Sequence, residues 1–339
     1  MAQGPAAQIA SVGSALPDRV VPNAFFEPFL DTTDEWIRTR TGIRERRWVE
    51  PGQGSVALAA SAARCALERA HLAAERIDLT IFATWTPDQW VPPASASLAG
   101  ELGLSGWGFD LNGACTGWVY GLQVATAEIH AGLAERVLVV GSDVISPFVN
   151  LTDRATAILF GDAAGAVIVE RAHEPGIIAS VTGNDPTMAD QITVPGGGSR
   201  EPATPETLAA HRVSVHMPDG QTVFKRAVGA MAQSCATVLE KSGFSPDDVD
   251  SVVAHQANAR IIRAVAARLG LREDVVWVDV AGVGNTSAAS IPVALDRGWR
   301  AGRLRPGDLV LTTAFGAGFT WGANLIRWTA PPPDAADAA

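Results

Sequence analysis

The stretch Cys65-Ala-Leu-Glu-Arg-Ala-His-Leu-Ala-Ala-Glu-Arg-Ile-Asp-Leu-Thr-Ile-Phe-Ala83 decides the fold, because the chain repeats it. It lies over Thr237-Val-Leu-Glu-Lys-Ser-Gly-Phe-Ser-Pro-Asp-Asp-Val-Asp-Ser-Val-Val-Ala-His255, 172 positions further on. Leu67 and Leu239, Glu68 and Glu240, Ile77 and Val249, and Asp78 and Asp250 coincide. Each copy reads as the end of an apolar-faced helix followed by a buried strand. Arg136-Val-Leu-Val-Val-Gly141 lies over Asp308-Leu-Val-Leu-Thr-Thr313 at the same spacing of 172, and Cys115 lies over Asn285 at 170. A fixed spacing over separate blocks, with a two-residue indel, predicts duplication of one α/β unit. Alternating strands and helices in each half call for mainly parallel sheets covered by helices. The halves are read as residues 1–175 and 176–330, followed by a tail, 331–339, expected to be disordered.

Outward from the repeat, strands are predicted over Ile9–Ala15, Ile77–Thr84, Trp107–Leu111, Arg136–Gly141, Gly176–Val181, Arg212–His216, Val249–Ala254, Val275–Val280, Asp308–Thr313 and Trp321–Trp328. Helices are predicted over Gly54–Ala70, Ala94–Leu102, Phe224–Ser242, Ala257–Leu269 and Thr286–Ala301. The Pro- and Gly-rich segment Pro195–Pro205 reads as a surface excursion.

Asp110-Leu-Asn-Gly-Ala-Cys115-Thr-Gly-Trp-Val-Tyr-Gly-Leu-Gln-Val-Ala125 passes from strand to helix around a cysteine. Gly113, Ala114 and Gly117 let the chain turn sharply and a substrate come close. A thiol at a helix N-terminus is expected to be shifted toward thiolate, the form a nucleophile needs. The plainer reading of Cys115 is a small buried residue in a turn. The repeat places Asn285 at a matching strand-to-helix turn, and His255 at a strand end, where α/β sheets gather their chemistry. Cys115, His255 and Asn285 therefore converge without being close in sequence. Taken alone, His255 is a structural histidine and Asn285 a turn residue.

A net charge of −10 on 339 residues argues against a role on nucleic acid or an anionic membrane. Hydrophobic residues at 47% supply ample core. Against the acidic background, Arg38, Arg40, Arg44, Arg46 and Arg47 form a local basic run, either a solvated face or a phosphate clamp. The three cysteines, Cys65, Cys115 and Cys235, are scattered and odd in number. That usage predicts a reducing compartment and no metal centre. With no signal-like N-terminus and no membrane-length apolar segment, a cytoplasmic protein is expected.

Six motifs in order resemble those of β-ketoacyl-acyl carrier protein synthase III, a condensing-enzyme family with the thiolase fold. They are Thr33-Asp-Glu-Trp-Ile-Arg-Thr-Arg-Thr-Gly-Ile-Arg-Glu-Arg46, the turn at Cys115, Asp153-Arg-Ala-Thr-Ala-Ile-Leu-Phe-Gly-Asp162, His255-Gln-Ala-Asn258, Gly284-Asn-Thr-Ser-Ala-Ala-Ser-Ile-Pro292 and Phe315-Gly-Ala-Gly-Phe-Thr-Trp-Gly322. The resemblance implies two βαβαβ-type halves stacked in five layers, α-β-α-β-α. It implies that Cys115 takes an acyl group from acyl-CoA, and that His255 and Asn285 stabilise the enolate formed as a malonyl thioester loses CO2. Backbone N–H groups at Cys115 and at Gly316, Ala317 and Gly318 would form an oxyanion hole. Trp36, Arg40 and Arg154 would hold the CoA end, and Lys225, Asn258 and Arg260 the carrier protein or its phosphopantetheine. The same resemblance implies a homodimer, thioester substrates and no further cofactor. Ester or amide formation by the same Cys and His is the alternative reading, and Asn285 argues against it.

Overall fold

The computed structural model describes residues 5–334 and 337. Its strands are β1 (Ala6–Ala15), β2 (Val20–Pro22), β3 (Glu45–Arg47), β4 (Leu79–Ala83), β5 (Trp107–Leu111), β6 (Arg136–Asp143), β7 (Ala163–Ala172), β8 (Ile177–Asn184), β9 (Ser251–Ala254), β10 (Leu309–Gly316) and β11 (Thr320–Arg327). The helices are α1 (Asp34–Thr41), α2 (Ser55–Arg69), α3 (Ala94–Leu102), α4 (Gly117–His130), α5 (Arg154–Ala157), α6 (Pro205–Ala209), α7 (Gly220–Ser242), α8 (Ala259–Leu269) and α9 (Ser290–Arg300).

Two sheets repeat one topology. The first runs β1-β7-β6-β4-β5 and the second β8-β11-β10-β9. In each, the first two pairings are antiparallel and the later ones parallel. A parallel bridge from Val252 to Val276 stands where the second sheet would have its counterpart of β5. The strand expected over Val275–Val280 is reduced to that bridge, because 3₁₀ turns at Glu273–Val275 and Val280–Gly282 fold the chain on either side of it. Pairing register also refines the repeat. Leu79 opposes Val137 as Ser251 opposes Val310, so β6 and β10 correspond one position further along than their sequence blocks suggest.

Strands buried on both faces explain the layering. In β6, Val137 and Val139 enter one core while Leu138 and Val140 enter another. This is the pattern of continuous apolar strands between helices. In β10, Val310 and Ala314 join the same core as Val137, and Leu309 and Leu311 face away from it. Trp118 and Leu122 of α4 and Ile291 and Leu295 of α9 lie in that shared core. Helices α2 and α3 cover the outer face of the first sheet, and α7 and α8 that of the second. The order is α-β-α-β-α, with α4 and α9 in the middle.

Two expectations fail locally. Arg212–His216 is no strand: only His216 bridges to Thr193, and His211 breaks the extended path at φ 54°. The tail is anchored where it is described. Trp299 Nε1 donates to the Pro331 carbonyl at 2.6 Å and Arg69 pairs with Asp337 at 2.8 Å. Residues 335, 336, 338 and 339 lie outside the described residues.

Candidate active site

The nucleophile candidate sits on a turn that the second half reproduces. After β5, the Asn112 Oδ1 accepts from Ala114 N at 3.2 Å, and Thr116 N donates to the Gly113 carbonyl at 3.0 Å. Ala114 takes φ 46°. In the second half, Asn285 Oδ1 accepts from Ser287 N at 3.0 Å, Ala289 N donates to the Thr286 carbonyl at 3.1 Å, and Ser287 takes φ 51°. Asn285 is therefore the counterpart of Asn112, and Cys115 that of Ala288. This corrects the alignment of Cys115 over Asn285, while the turns themselves match. Gly316 is wedged against the first turn: a Cβ there would stand 2.9 Å from Cys115 N.

Cys115, His255 and Asn285 line one cavity of about 160 Å³, with Phe160, Asn258 and Gly316. Cys115 also opens onto a second cavity of about 660 Å³. His255 is fixed at the end of β9 by its own N–H to the Thr313 carbonyl, 2.7 Å. Its Nδ1 lies 2.6 Å from Ser290 Oγ, which also accepts from Gln256 N at 3.3 Å. The hydroxyl proton of Ser290 can be given to Nδ1, and in that arrangement Nε2 carries the N–H. Burial lowers the His255 pKa to about 4, so the imidazole is neutral at pH 7. The Asn285 oxygen is used in its turn. Among the described residues its Nδ2 has no partner, and it remains available as a donor.

Burial pushes the Cys115 thiol up to about 12; the Ser287 hydroxyl and the cysteine's own backbone N–H act against this, and Asp143 adds to it. The thiolate expected from the helix N-terminus is thus not the resting form: desolvation outweighs the favourable dipole. Asp143, at the end of β6, is fully buried. It accepts from the Thr84 hydroxyl at 2.9 Å, Trp85 N at 3.0 Å, the Thr86 hydroxyl at 3.1 Å and Ala288 N at 3.2 Å. Burial raises its carboxyl too. Asp143, Ser287, Ser290 and Phe160 were not singled out from sequence. Asp143 could have been, as a charge closing an apolar strand. The two serines lie inside the motif Gly284–Pro292, but nothing there marks them apart.

Pairwise contacts link the predicted CoA and carrier residues to the lining of the smaller cavity. Asn258 lines that cavity, caps α8 through Arg260 N at 2.8 Å and donates to the Arg40 carbonyl at 3.2 Å. The Trp36 ring carries the guanidinium groups of Arg40 at 5.7 Å and Arg154 at 4.8 Å. Arg260 lies 5.6 Å over the ring of Phe224, another lining residue, and Lys225 is exposed beside it on α7. The arginine run divides. Arg38, Arg40 and Arg44 are exposed, whereas Arg46 is fully buried and donates to Val21 O, Asn23 Oδ1 and Ile158 O. Of the predicted oxyanion segment, Gly316 lines the smaller cavity, Ala317 the larger, and Gly318 neither.

A 3-oxoacyl-[acyl-carrier-protein] synthase III profile matches residues 109–186, and the C-terminal profile of the same enzyme matches residues 239–328. The beta-ketoacyl-[acyl-carrier-protein] synthase III of Roseiflexus sp. is 48% identical over 320 residues, covering 94% of this chain and 97% of the relative. Among solved structures, 3-oxoacyl-(acyl carrier protein) synthase III of Pseudomonas aeruginosa gives a TM-score of 0.89 at 40% identity, covering 97% of this chain and 100% of that one. The priming beta-ketosynthase of the R1128 polyketide biosynthetic pathway gives 0.91 at 36% identity, covering 98% and 99%. This chain belongs to the β-ketoacyl-[acyl-carrier-protein] synthase III family of thiolase-fold ketosynthases.

Proposed function

We propose that this chain condenses an acyl primer with a malonyl thioester carried on acyl carrier protein, releasing CoA and CO2 and leaving a β-ketoacyl carrier thioester. Cys115 Sγ attacks the thioester of acyl-CoA, its proton passes to the departing CoA sulfur, and an acyl-Cys115 remains. Malonyl carrier then enters the smaller cavity and loses CO2. His255 Nε2–H and Asn285 Nδ2 donate to the enolate oxygen that this creates. The enolate carbon bonds to the acyl carbonyl carbon, the Cys115 sulfur leaves as thiolate, and it regains a proton from solvent. Backbone N–H groups at Cys115 and Gly316 are the donors for the acyl oxygen.

One observation carries the reading. A cysteine, a neutral histidine with its Nδ1 engaged, and an asparagine with a free amide nitrogen share one cavity. Two neutral donors suit an enolate: they stabilise its charge without the acidity that would quench it. Plain acyl transfer to oxygen or nitrogen has no use for the second donor.

Trp36, Arg40 and Arg154 serve the nucleotide end of CoA, and Lys225 and Arg260 the acidic carrier. The chemistry as written needs no resident cofactor. A homodimer is the natural partner state: β5 is an edge strand, and Trp107, Trp90 and Val91 nearby in sequence are 55%, 75% and 83% exposed. A reducing, cytoplasmic setting fits three free cysteines, and among the described residues no helix is long and apolar enough to cross a membrane.

Intact-mass spectrometry with acyl-CoA donors, followed by malonyl carrier protein, tests the scheme. The native chain gains the acyl mass, Cys115→Ala does not, and the carrier departs as a β-ketoacyl thioester. Discharge only to water, an alcohol or an amine would replace condensation with acyl transfer.

A further inference from the structure

We infer that Ser287 is a further catalytic residue: its hydroxyl donates to the Cys115 sulfur whenever that sulfur carries negative charge, during attack on acyl-CoA and again as it leaves the acyl group. The inference rests on the nucleophile proposed above, and alkylation of that sulfur tests it apart from condensation.

The duplication shows that the turn does not ask for this hydroxyl. Ser287 holds the left-handed position of its elbow at φ 51°, and its counterpart Ala114 holds φ 46°. Both elbows are closed by an asparagine oxygen that accepts the N–H at this position, Asn112 for Ala114 and Asn285 for Ser287. Alanine therefore meets the conformational need in the first half, and the left-handed backbone is no easier for serine. What serine adds is one O–H.

That O–H has no structural employment. Ser287 is 1% exposed, and its buried Oγ makes no well-formed hydrogen bond among the described residues. A buried hydroxyl left in this way is unfavourable and needs a reason. Ser287 and Cys115 line the larger cavity together. Their elbows are pressed on each other: a Cβ on Gly117 would stand 3.5 Å from the Ala288 Cβ. Two acidic groups flank the hydroxyl, the Cys115 thiol and the Asp143 carboxyl, and its presence favours the charged form of both. Asp143 does not depend on it. Asp143 Oδ1 accepts from the Thr84 and Thr86 hydroxyls and Trp85 N, and Oδ2 accepts from Ala288 N. The hydroxyl can thus turn to the sulfur without orphaning a buried carboxylate.

The sulfur has need of such a donor. Burial opposes its negative charge, the neighbouring Asp143 adds to that, and His255 and Asn285 are reserved for the enolate. A serine O–H stabilises a thiolate while keeping its own proton, so the proton balance of the proposed scheme is unchanged.

The test uses Ser287→Ala and Ser287→Gly in the full-length protein. Glycine removes the hydroxyl and relieves the left-handed backbone, so Ser287→Gly should resist urea at least as well as the native chain. In both variants, iodoacetamide alkylation of Cys115, identified against Cys115→Ala by mass, should slow about tenfold at each pH, and single-turnover acylation by acyl-CoA should slow by a similar factor. A mere packing defect would admit water and reagent and speed alkylation. Faster or unchanged alkylation in folded Ser287→Gly overturns the inference and leaves the proposed condensation standing. No acylation of the native chain by any donor overturns both.

Discussion

Replacing Ser290 by alanine asks whether His255 acts as a neutral N–H donor held by its neighbour. Ser290 Oγ stands 2.6 Å from His255 Nδ1, and the two residues are 2% and 4% exposed. The variant leaves an imidazole nitrogen without its partner inside the protein, a defect of about 1–3 kcal/mol. The ring is then free to carry its proton on Nδ1, which turns Nε2 into an acceptor and removes the donor from the cavity. Converted to rate, the range is about 5- to 150-fold. The loss falls on CO2 release and not on acylation of Cys115, because His255 enters the scheme only at the second step. Single-turnover acylation by intact mass and CO2 release from malonyl carrier protein separate the two. Ser290→Thr, which keeps the hydroxyl, restores part of the second step. Equal losses in both steps would mark a packing defect, and an unchanged CO2 rate would refute the positioning of His255 by Ser290.

Four further outcomes follow from the same geometry. With the Cys115 thiol at about 12, iodoacetamide alkylation rises about tenfold per pH unit from pH 7 to 10 without a plateau. A plateau near pH 8 would instead mean a thiol lowered by the helix terminus. His255 is held at about 4 against 6.5 in the unfolded chain, so the unfolded state takes the proton first as pH falls. Full stability is present above pH 6.5 and about 3 kcal/mol is lost by pH 4; urea unfolding of His255→Gln should lack that part of the slope. Arg46→Met orphans three buried acceptors and should cost about 3 kcal/mol or more in urea unfolding, with CoA affinity retained in the folded protein. Trp36→Ala should raise KM for acyl-CoA about tenfold but leave KM for a truncated acyl thioester unmoved, if Trp36 and the arginines stacked on it serve only the nucleotide end as proposed.

The duplicated α/β unit was legible because both copies keep a helix end and an apolar strand at one spacing. The layer order follows from β6 and β10, whose unbroken apolar runs demand cover on both faces. Cys115, His255 and Asn285 were legible as strand-end residues. What sequence did not hold was tertiary. The basic run looked uniform, yet Arg46 points inward to three carbonyl-type acceptors while Arg40 points outward. The thiol's acidity depends on how completely the middle layer excludes water, and a local dipole argument could not weigh that. Pro195–Pro205 read as a surface excursion because glycine and proline mark turns, and nothing in that composition shows that Gly196–Gly198 form a wall of the larger cavity. The Val275–Val280 strand was over-read because an apolar run alone does not show where the chain folds away from the sheet.

The matching of Asn112 with Asn285 gives the duplication a chemical meaning. Both side-chain oxygens close the same turn by accepting a backbone N–H two residues on. One duplicated scaffold thus delivers two small-residue elbows from opposite halves to one middle layer. In the first half the residue three beyond the asparagine is Cys115; in the second it is Ala288, and the asparagine itself lines the smaller cavity. In the proposed scheme the Asn285 amide is employed twice, its oxygen in the turn and its nitrogen toward the substrate. An aspartate could close the turn equally well but could not donate to an enolate. The division of labour follows: the half that supplies the nucleophile needs only the fold of its elbow, whereas the other half needs the fold and one free N–H. The third member, His255, comes from the end of β9, counterpart of the β4 end at Ala83. There the first half keeps a small apolar residue, against which a Cβ on Gly117 would stand at 3.1 Å. Duplication supplied the positions, and substitution at two of them, Cys115 against Ala288 and His255 against Ala83, made the two halves unlike.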